Sequence, residues 1–339
     1  MGAKEFKVVV VGLGAMGSGV AKLLLRKKSV RLVGAAASRK EKQGKELAEV
    51  LRLENETGII VSSLDEALAK DADVVIQCTT SFVKEACPEI LKIVEAGSNV
   101  ISIAEEMAYP VVTDPELVCA MDEAAKKRGV TILGTGVNPG FVLDTLLLTL
   151  TGVCEDVVSV KAFRINDLSP FGHGVMKTQG VGSTPEEFRR GVTEGAITGH
   201  IGFVQSVRMI ADALGWELDE VIETREPIVS KVARETPHVS VKPGMVAGCN
   251  HTVKGMRGGV PVILLEHPQQ IHPRLAGVET GDYIDIQGSS STVKMRIEPE
   301  IPGGIGTVSM AVNMIPLVVE ASPGLVTMLD LPFPRAFMS

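Results

Sequence analysis

Four consecutive valines, Val8 to Val11, run straight into Gly12-Leu13-Gly14-Ala15-Met16-Gly17, and nothing else in the 339-residue chain narrows its fold as far. A β-branched run with no polar alternation reads as a strand buried on both faces, here residues 6–11. After the glycines, residues 18–27 place Val20, Leu23 and Leu24 on one helical face, and residues 31–36 read as a second strand. Strand, G-x-G-x-x-G, helix and strand within about 30 residues is the context in which that motif binds a dinucleotide. Gly12 permits the tight turn, Gly14 lets the backbone approach a pyrophosphate, and Gly17 allows close helix–strand packing. The pyrophosphate then sits at the positive end of the helix dipole, with Leu13, Ala15 and Met16 completing the cofactor-binding turn.

Strands and helices go on alternating: strands at 59–62, 74–78, 99–103 and 130–133, helices at 39–50, 64–70, 82–96 and 115–127. Short connections between alternating elements signal a parallel sheet covered on both faces. The fold class expected is therefore α/β, a Rossmann doubly wound parallel sheet, followed by a second α+β substrate domain containing a mostly antiparallel sheet. The Gly/Pro-rich segment Gly134-Thr135-Gly136-Val137-Asn138-Pro139-Gly140 marks the junction. Beyond it, helices are expected at 141–150, 184–194 and 200–214, and a strand-rich stretch at 226–297. Gly303-Gly304-Ile305-Gly306 then opens a final helix, 307–320, expected to return to the first domain. The division expected is 1–137 for the dinucleotide domain, 138–303 for substrate binding and oligomerisation, and 304–339 for the returning helix and tail.

Composition removes several function classes. A net charge of −7 repels nucleic-acid backbones, and 4% aromatics offer no stacking platform. Five cysteines without a C-x-x-C pair argue against a disulfide framework or zinc ribbon and fit a reducing cytoplasm. No stretch of about 20 uninterrupted apolar residues suggests a membrane span. No His/Cys/Asp cluster has metal-ligand spacing, so no metal is expected.

Cofactor choice is read at the end of the second strand. An NAD-preferring site places Asp or Glu there to hold the ribose 2′-hydroxyl. This chain has Ala35-Ala36-Ala37-Ser38-Arg39-Lys40, with no carboxylate. Ser38 can donate to a 2′-phosphate and Arg39 can pair with it, so NADP is expected to be preferred and NAD accepted, Lys40 adding charge. Arg39 and Lys40 also suit the solvated start of a helix. After the fourth strand, Cys78, Thr79 and Thr80 are placed along the ribose and nicotinamide path, and Ser81 suits a helix N-cap.

Further on, Glu105-Glu106-Met107-Ala108-Tyr109-Pro110 resembles the E-E-x-x-Y-P segment of the 2,4-diaminopentanoate dehydrogenases and their relatives, the native amine dehydrogenases. The junction at 136–145, Ser169-Pro170-Phe171-Gly172, the run 176–182 and Leu329-Asp330-Leu331-Pro332 are similar to the same family, so the resemblance covers essentially the whole chain. The middle segment lacks the basic stretch of the amine dehydrogenases and looks closer to the diaminopentanoate enzymes of ornithine fermentation. The resemblance implies NAD(P)-dependent oxidative deamination of (2R,4S)-2,4-diaminopentanoate at C4, giving 2-amino-4-oxopentanoate and ammonia, reversible as reductive amination. It also implies a homodimer, the commonest closed assembly. Two alternatives remain: a reductase of a cyclic imine or carbonyl, as in dihydrodipicolinate reductase, and a non-catalytic dinucleotide sensor. His173-Gly174-Val175-Met176-Lys177 does not reproduce the reductase's signature.

Amine oxidation needs a proton acceptor near the nitrogen, both to neutralise the ammonium and to activate water on the imine. Glu105 and Glu106 follow the fifth strand at the rim where the nicotinamide belongs. In a regular strand only one of two neighbours faces the crevice, and Glu105 is slightly favoured. Tyr109 can orient substrate or glutamate, or simply pack. For the amino-acid end of the substrate, the polar stretch Arg164, Asn166, Asp167, Ser169, His173, Lys177, Thr178 and Gln179 reads as a binding loop, with Asn138 and His200 as further candidates.

Overall fold

The computed structural model describes residues 5–338. They divide into two compact units, one formed by the described residues up to Phe141 together with those from Pro302 onward, the other Val142–Ile301.

The first unit alternates β1 (Phe6–Val11), α1 (Ala15–Leu24), β2 (Val30–Ala36), α2 (Leu47–Leu51), β3 (Val61–Ser62), α3 (Leu64–Leu68), β4 (Val74–Gln77), α4 (Val83–Glu95), β5 (Asn99–Ser102), α5 (Pro115–Arg128) and β6 (Thr131–Gly134). Val8, Val9 and Val10 are fully buried, as a strand with helices on both faces requires. On α4, Val83, Ala86, Cys87, Ile90, Ile93 and Val94 are buried at helical spacing and pack with Val75, Val100 and Ile132 of the sheet. Each such aliphatic side chain contributes about 1.5–3 kcal/mol when fully buried.

The second unit contains α6 (Thr145–Thr151), β7 (Val157–Asp167), α7 (His173–Thr178), α8 (Pro185–Thr193), α9 (Phe203–Ala213), β8 (Glu220–Val229), β9 (Arg234–Glu235), β10 (Ser240–Val241), β11 (Val246–Arg257), β12 (Val260–Gln270), β13 (Gly281–Gly288) and β14 (Thr292–Ile297). Its six-stranded sheet runs β14-β13-β7-β12-β11-β8. Only the β7–β12 pair is parallel; the others are antiparallel. Helix α9 lies against β11, β12 and β8.

The chain then returns to the first unit as α10 (Gly303–Asn313), α11 (Ile315–Glu320) and β15 (Gly324–Val326). The first sheet is thereby ordered β15-β6-β5-β4-β1-β2-β3, with every pair parallel. The strand order reverses between β1 and β4, the crevice where doubly wound sheets bind ligands. The stretch Gly303–Glu320 has a mean hydropathy of 1.3 over 18 residues, enough by length and composition to cross a membrane. Here α10 packs on α1 and α11 on β5 and β6, and Ala311, Val312, Met314, Ile315 and Val318 are buried.

Several expected boundaries shift. The helix expected over 39–50 is reduced to α2, because the chain between β2 and α2 is held by its own side chains. Gln43 donates to the Ala37 carbonyl at 2.7 Å, Lys42 donates to that of Leu13 at 2.6 Å, and Gly44 takes φ +79°. Thr57 hydrogen bonds then hold the Glu46 carboxyl down at about 2, where it caps α2 through the Ala48 N–H. His200 lies before α9 rather than in it, since Gly202 enters the helix at φ +94°.

Candidate active site

The glycine turn is shaped by close approach. Gly12 has φ +88°, and a Cβ there would lie 2.6 Å from the Cys78 carbonyl oxygen. A Cβ on Gly17 would lie 1.7 Å from the Gly12 carbonyl oxygen, so only glycine lets α1 start here. Gly14, by contrast, is exposed with open space around its Cβ position. That is the cradle a pyrophosphate backbone needs, in front of the ten-residue helix α1, so the residues present fit a dinucleotide. Leu13 is buried, Ala15 is exposed and Met16 is half-buried. Ser38, Arg39 and Lys40 follow β2 in an exposed turn, and none is in an ion pair among the described residues. Lys42, which sequence reasoning passed over, reaches back from the same turn to the glycine loop.

At the end of β4, the segment 78–81 faces the turn. Burial, aided by the Glu89 carboxylate, pushes the Cys78 thiol far up, so it stays neutral. The Thr79 methyl would lie 2.8 Å from a Cβ on Gly12. Its hydroxyl donates to Glu89 at 2.6 Å and accepts from Gln77 at 2.7 Å. Thr80 donates to Glu85. Both hydroxyls are therefore oriented by the sheet end and α4.

The two glutamates separate. They open a 3-10 turn, Glu105–Ala108, directly after β5. This turn presses so closely on β6 that a Cβ on Gly134 would lie 1.9 Å from the Met107 carbonyl oxygen. Glu106 Oε2 accepts the Val83 N–H at 2.8 Å, and the Glu106 N–H donates to the Ser81 carbonyl at 3.1 Å. Helix α4 has no side-chain cap of its own, so Glu106 caps it from another segment, and Ser81 does not serve as N-cap. Glu105 is half-buried, with the Ser81 side chain near its carboxyl. Burial raises its carboxyl, the Glu106 charge adds to the rise, and the hydrogen bonds from Ser81 and its own backbone oppose it. Tyr109 ends the turn half-buried, and Asn138 is buried beyond β6.

In the second unit the expected binding stretch splits. Arg164 is 2% exposed; its guanidinium donates to Asp282 and to the Ile301 carbonyl. Asp167 accepts from the Ser169 N–H and hydroxyl and, with Ser169, holds the His272 N–H, so both residues are spent on a local turn. Thr178 donates to the Val175 carbonyl inside its helix. Gln179 is buried and donates to Gly199. His173 and Lys177 are exposed and line a cavity of about 390 Å³ with Met176, Glu187 and Ile197.

Asn166 belongs instead to a buried histidine group. It accepts from His267 Nε2 at 3.1 Å, which fixes that nitrogen as the protonated one. His267 stands opposite His251, whose Nδ1 accepts the His200 N–H at 2.9 Å and whose Nε2 meets Glu223 at 2.9 Å. The His200 ring packs edge-on against His267 and Phe203. Burial, with the nearby charges of His200 and Arg164, drives His267 well below the usual imidazole range, and burial lowers His251 too. His251 and His267 sit at inward positions of long strands, a polar interruption of the alternation that the sequence does display. Among the described residues no three His, Cys, Asp or Glu side chains could hold a metal ion.

Residues 141–339 match the family model described as 2,4-diaminopentanoate dehydrogenase C-terminal domain, and residues 6–102 that of the dihydrodipicolinate reductase N-terminus. A 2,4-diaminopentanoate dehydrogenase of Acetoanaerobium sticklandii is 48% identical over 99% of this chain and 96% of its own length. The chain belongs to the 2,4-diaminopentanoate dehydrogenase family. An amine dehydrogenase of Streptomyces virginiae is 27% identical over 96% of the chain and 95% of its own length. The structure of an amine dehydrogenase from Mycobacterium smegmatis superposes with a TM-score of 0.86 at 28% identity, over 98% of this chain and 97% of that one. The match to the Acetoanaerobium sticklandii relative spans both units.

Proposed function

We propose that this chain catalyses NAD(P)-dependent oxidative deamination of 2,4-diaminopentanoate at C4, yielding 2-amino-4-oxopentanoate and ammonia, and the reverse reductive amination. The observation that carries the chemistry is Glu105, a half-buried carboxyl with a raised pKa at the carboxyl rim of β5. A nicotinamide dinucleotide held at the glycine turn of Gly12, Gly14 and Gly17 would supply the hydride acceptor for the carbon that bears the amine. Glu105 in its ionised form takes a proton from the substrate ammonium, so that the lone pair can form the carbon–nitrogen double bond. It then passes that proton to solvent, takes another from the water that adds to this carbon, and returns it to the nitrogen, whose bond to carbon breaks as the carbonyl forms and which leaves as ammonium with the hydroxyl proton. Each turnover consumes one water and releases one ammonium, with one proton passing to solvent. Ser81 keeps the Glu105 pKa from rising further, while Glu106 fixes the turn on α4.

The exposed Ser38, Arg39 and Lys40, with no acid at the end of β2, support a preference for NADP over NAD. In the second unit, Lys177 and His173 are the exposed candidates for the substrate carboxylate. We place the enzyme in the cytoplasm as a homodimer; five free cysteines support the compartment. Replacing Glu105→Gln tests the reading: turnover should fall about 10²–10⁴-fold while NADP binding is retained. Undiminished turnover would remove Glu105 as the base.

A further inference from the structure

Gln77 ends β4, is fully buried, and satisfies its whole amide. Its Nε2 donates to Thr79 Oγ1 at 2.7 Å and to Glu89 Oε2 at 2.9 Å; its Oε1 accepts from Ser102 Oγ at 2.6 Å. The two ends of this network lead to different parts of the site. Thr79 is fixed by Gln77 and Glu89 with its methyl turned onto Gly12 of the dinucleotide turn. Ser102 Oγ accepts the Ala104 N–H at 3.2 Å, one residue before Glu105. Gln77 and Ser102 are buried, while Thr79 is exposed and Glu89 half-buried at the rim; a buried amide whose donors and acceptor are all satisfied rigidifies what it joins, and one left half-satisfied would cost more than it returned. Glutamine suits the position because one planar amide donates on one side and accepts on the other.

We propose that Gln77 is a positioning residue for amine oxidation: it ties the glycine turn, through Thr79 and Glu89, to the turn that carries Glu105, through Ser102. The proposal rests on Glu105 being the base. Holding nicotinamide and base in one frame matters because hydride and proton must leave adjacent atoms, and small misplacements lose rate steeply.

The test is Gln77→Leu, compared with Ser98→Ala, which removes a buried hydrogen bond to the Ala72 carbonyl at the opposite end of the sheet. NADPH binding is read by fluorescence titration and kcat at saturating NADP. Gln77→Leu should raise the NADPH Kd about threefold or more and lower kcat about tenfold, with Ser98→Ala within about twofold on both. If Gln77→Leu changes only the melting temperature, or only one of Kd and kcat, the coupling is refuted. Should that variant fail to fold, Thr79→Val and Ser102→Ala divide the question. The first should move Kd and the second kcat, and the absence of either effect counts against the proposal. Glu105→Gln separates the underlying reading: full turnover there removes the base, whereas loss of turnover there with an unaffected Gln77→Leu removes only the positioning role.

Discussion

At Glu105 burial and hydrogen bonding pull in opposite directions, and burial prevails. A carboxyl whose folded pKa is raised favours its neutral form, so its contribution to stability is full below the unfolded value and is lost as pH rises through the folded one. Near pH 7 the ionised group therefore costs stability that Gln would not. Glu105→Gln should raise the melting temperature at about pH 8, and the gain should vanish near pH 4, close to the unfolded pKa of about 4.3. A gain that persists at pH 4 would mean that Gln simply packs better. Arg39 is the residue whose test concerns cofactor choice. In the proposed NADP site the 2′-phosphate would lose with Arg39 a charge-assisted partner worth about 1.5–3 kcal/mol, so Arg39→Ala should weaken NADP binding at least tenfold and NAD binding little. Equal weakening of both would show that Arg39 does not touch the 2′-phosphate.

Among the elements, β7 shows how a residue type can point to function in sequence and to architecture in the fold. Arg164 lies at an inward position of β7 opposite Asp282 of β13, and both are buried. Burial lifts the Asp282 carboxyl despite the pull of the guanidinium, so the pair is held at a desolvation cost. Arg164→Ala would leave Asp282 buried without its cation and should cost about 3–5 kcal/mol in chemical denaturation. Unchanged stability with a raised KM for substrate would instead assign Arg164 to binding. The six strands and the glycine turn of the first unit were legible because β-branched runs and G-x-G-x-x-G each have one physical solution. The three-residue strand β15 was not, since Gly324–Val326 is too short to carry a period and is fixed only by pairing with β6. Nor was the division of labour between Glu105 and Glu106, because a 3-10 turn replaces the strand alternation on which a sequence reading relies. Gln77, His251 and His267 went unread in the sequence, because their partners come from other elements and become visible only in three dimensions.

On the scale of the whole molecule, the second unit is inserted between β6 and α10, so the first sheet is completed only after the chain comes back. The first unit supplies what any dinucleotide enzyme needs, a glycine cradle and a parallel sheet with a switch point, and a fold alone does not choose a reaction. The reaction proposed here rests on the carboxyl of Glu105 at the rim and on the family to which the chain belongs. The most direct measurement is the appearance of reduced nicotinamide with 2,4-diaminopentanoate as substrate, with ammonia measured in the same reaction and NADP and NAD compared. The account predicts reduced nicotinamide and ammonia in equal amounts, faster with NADP. Protein that binds NADP yet yields neither product with either cofactor would contradict it.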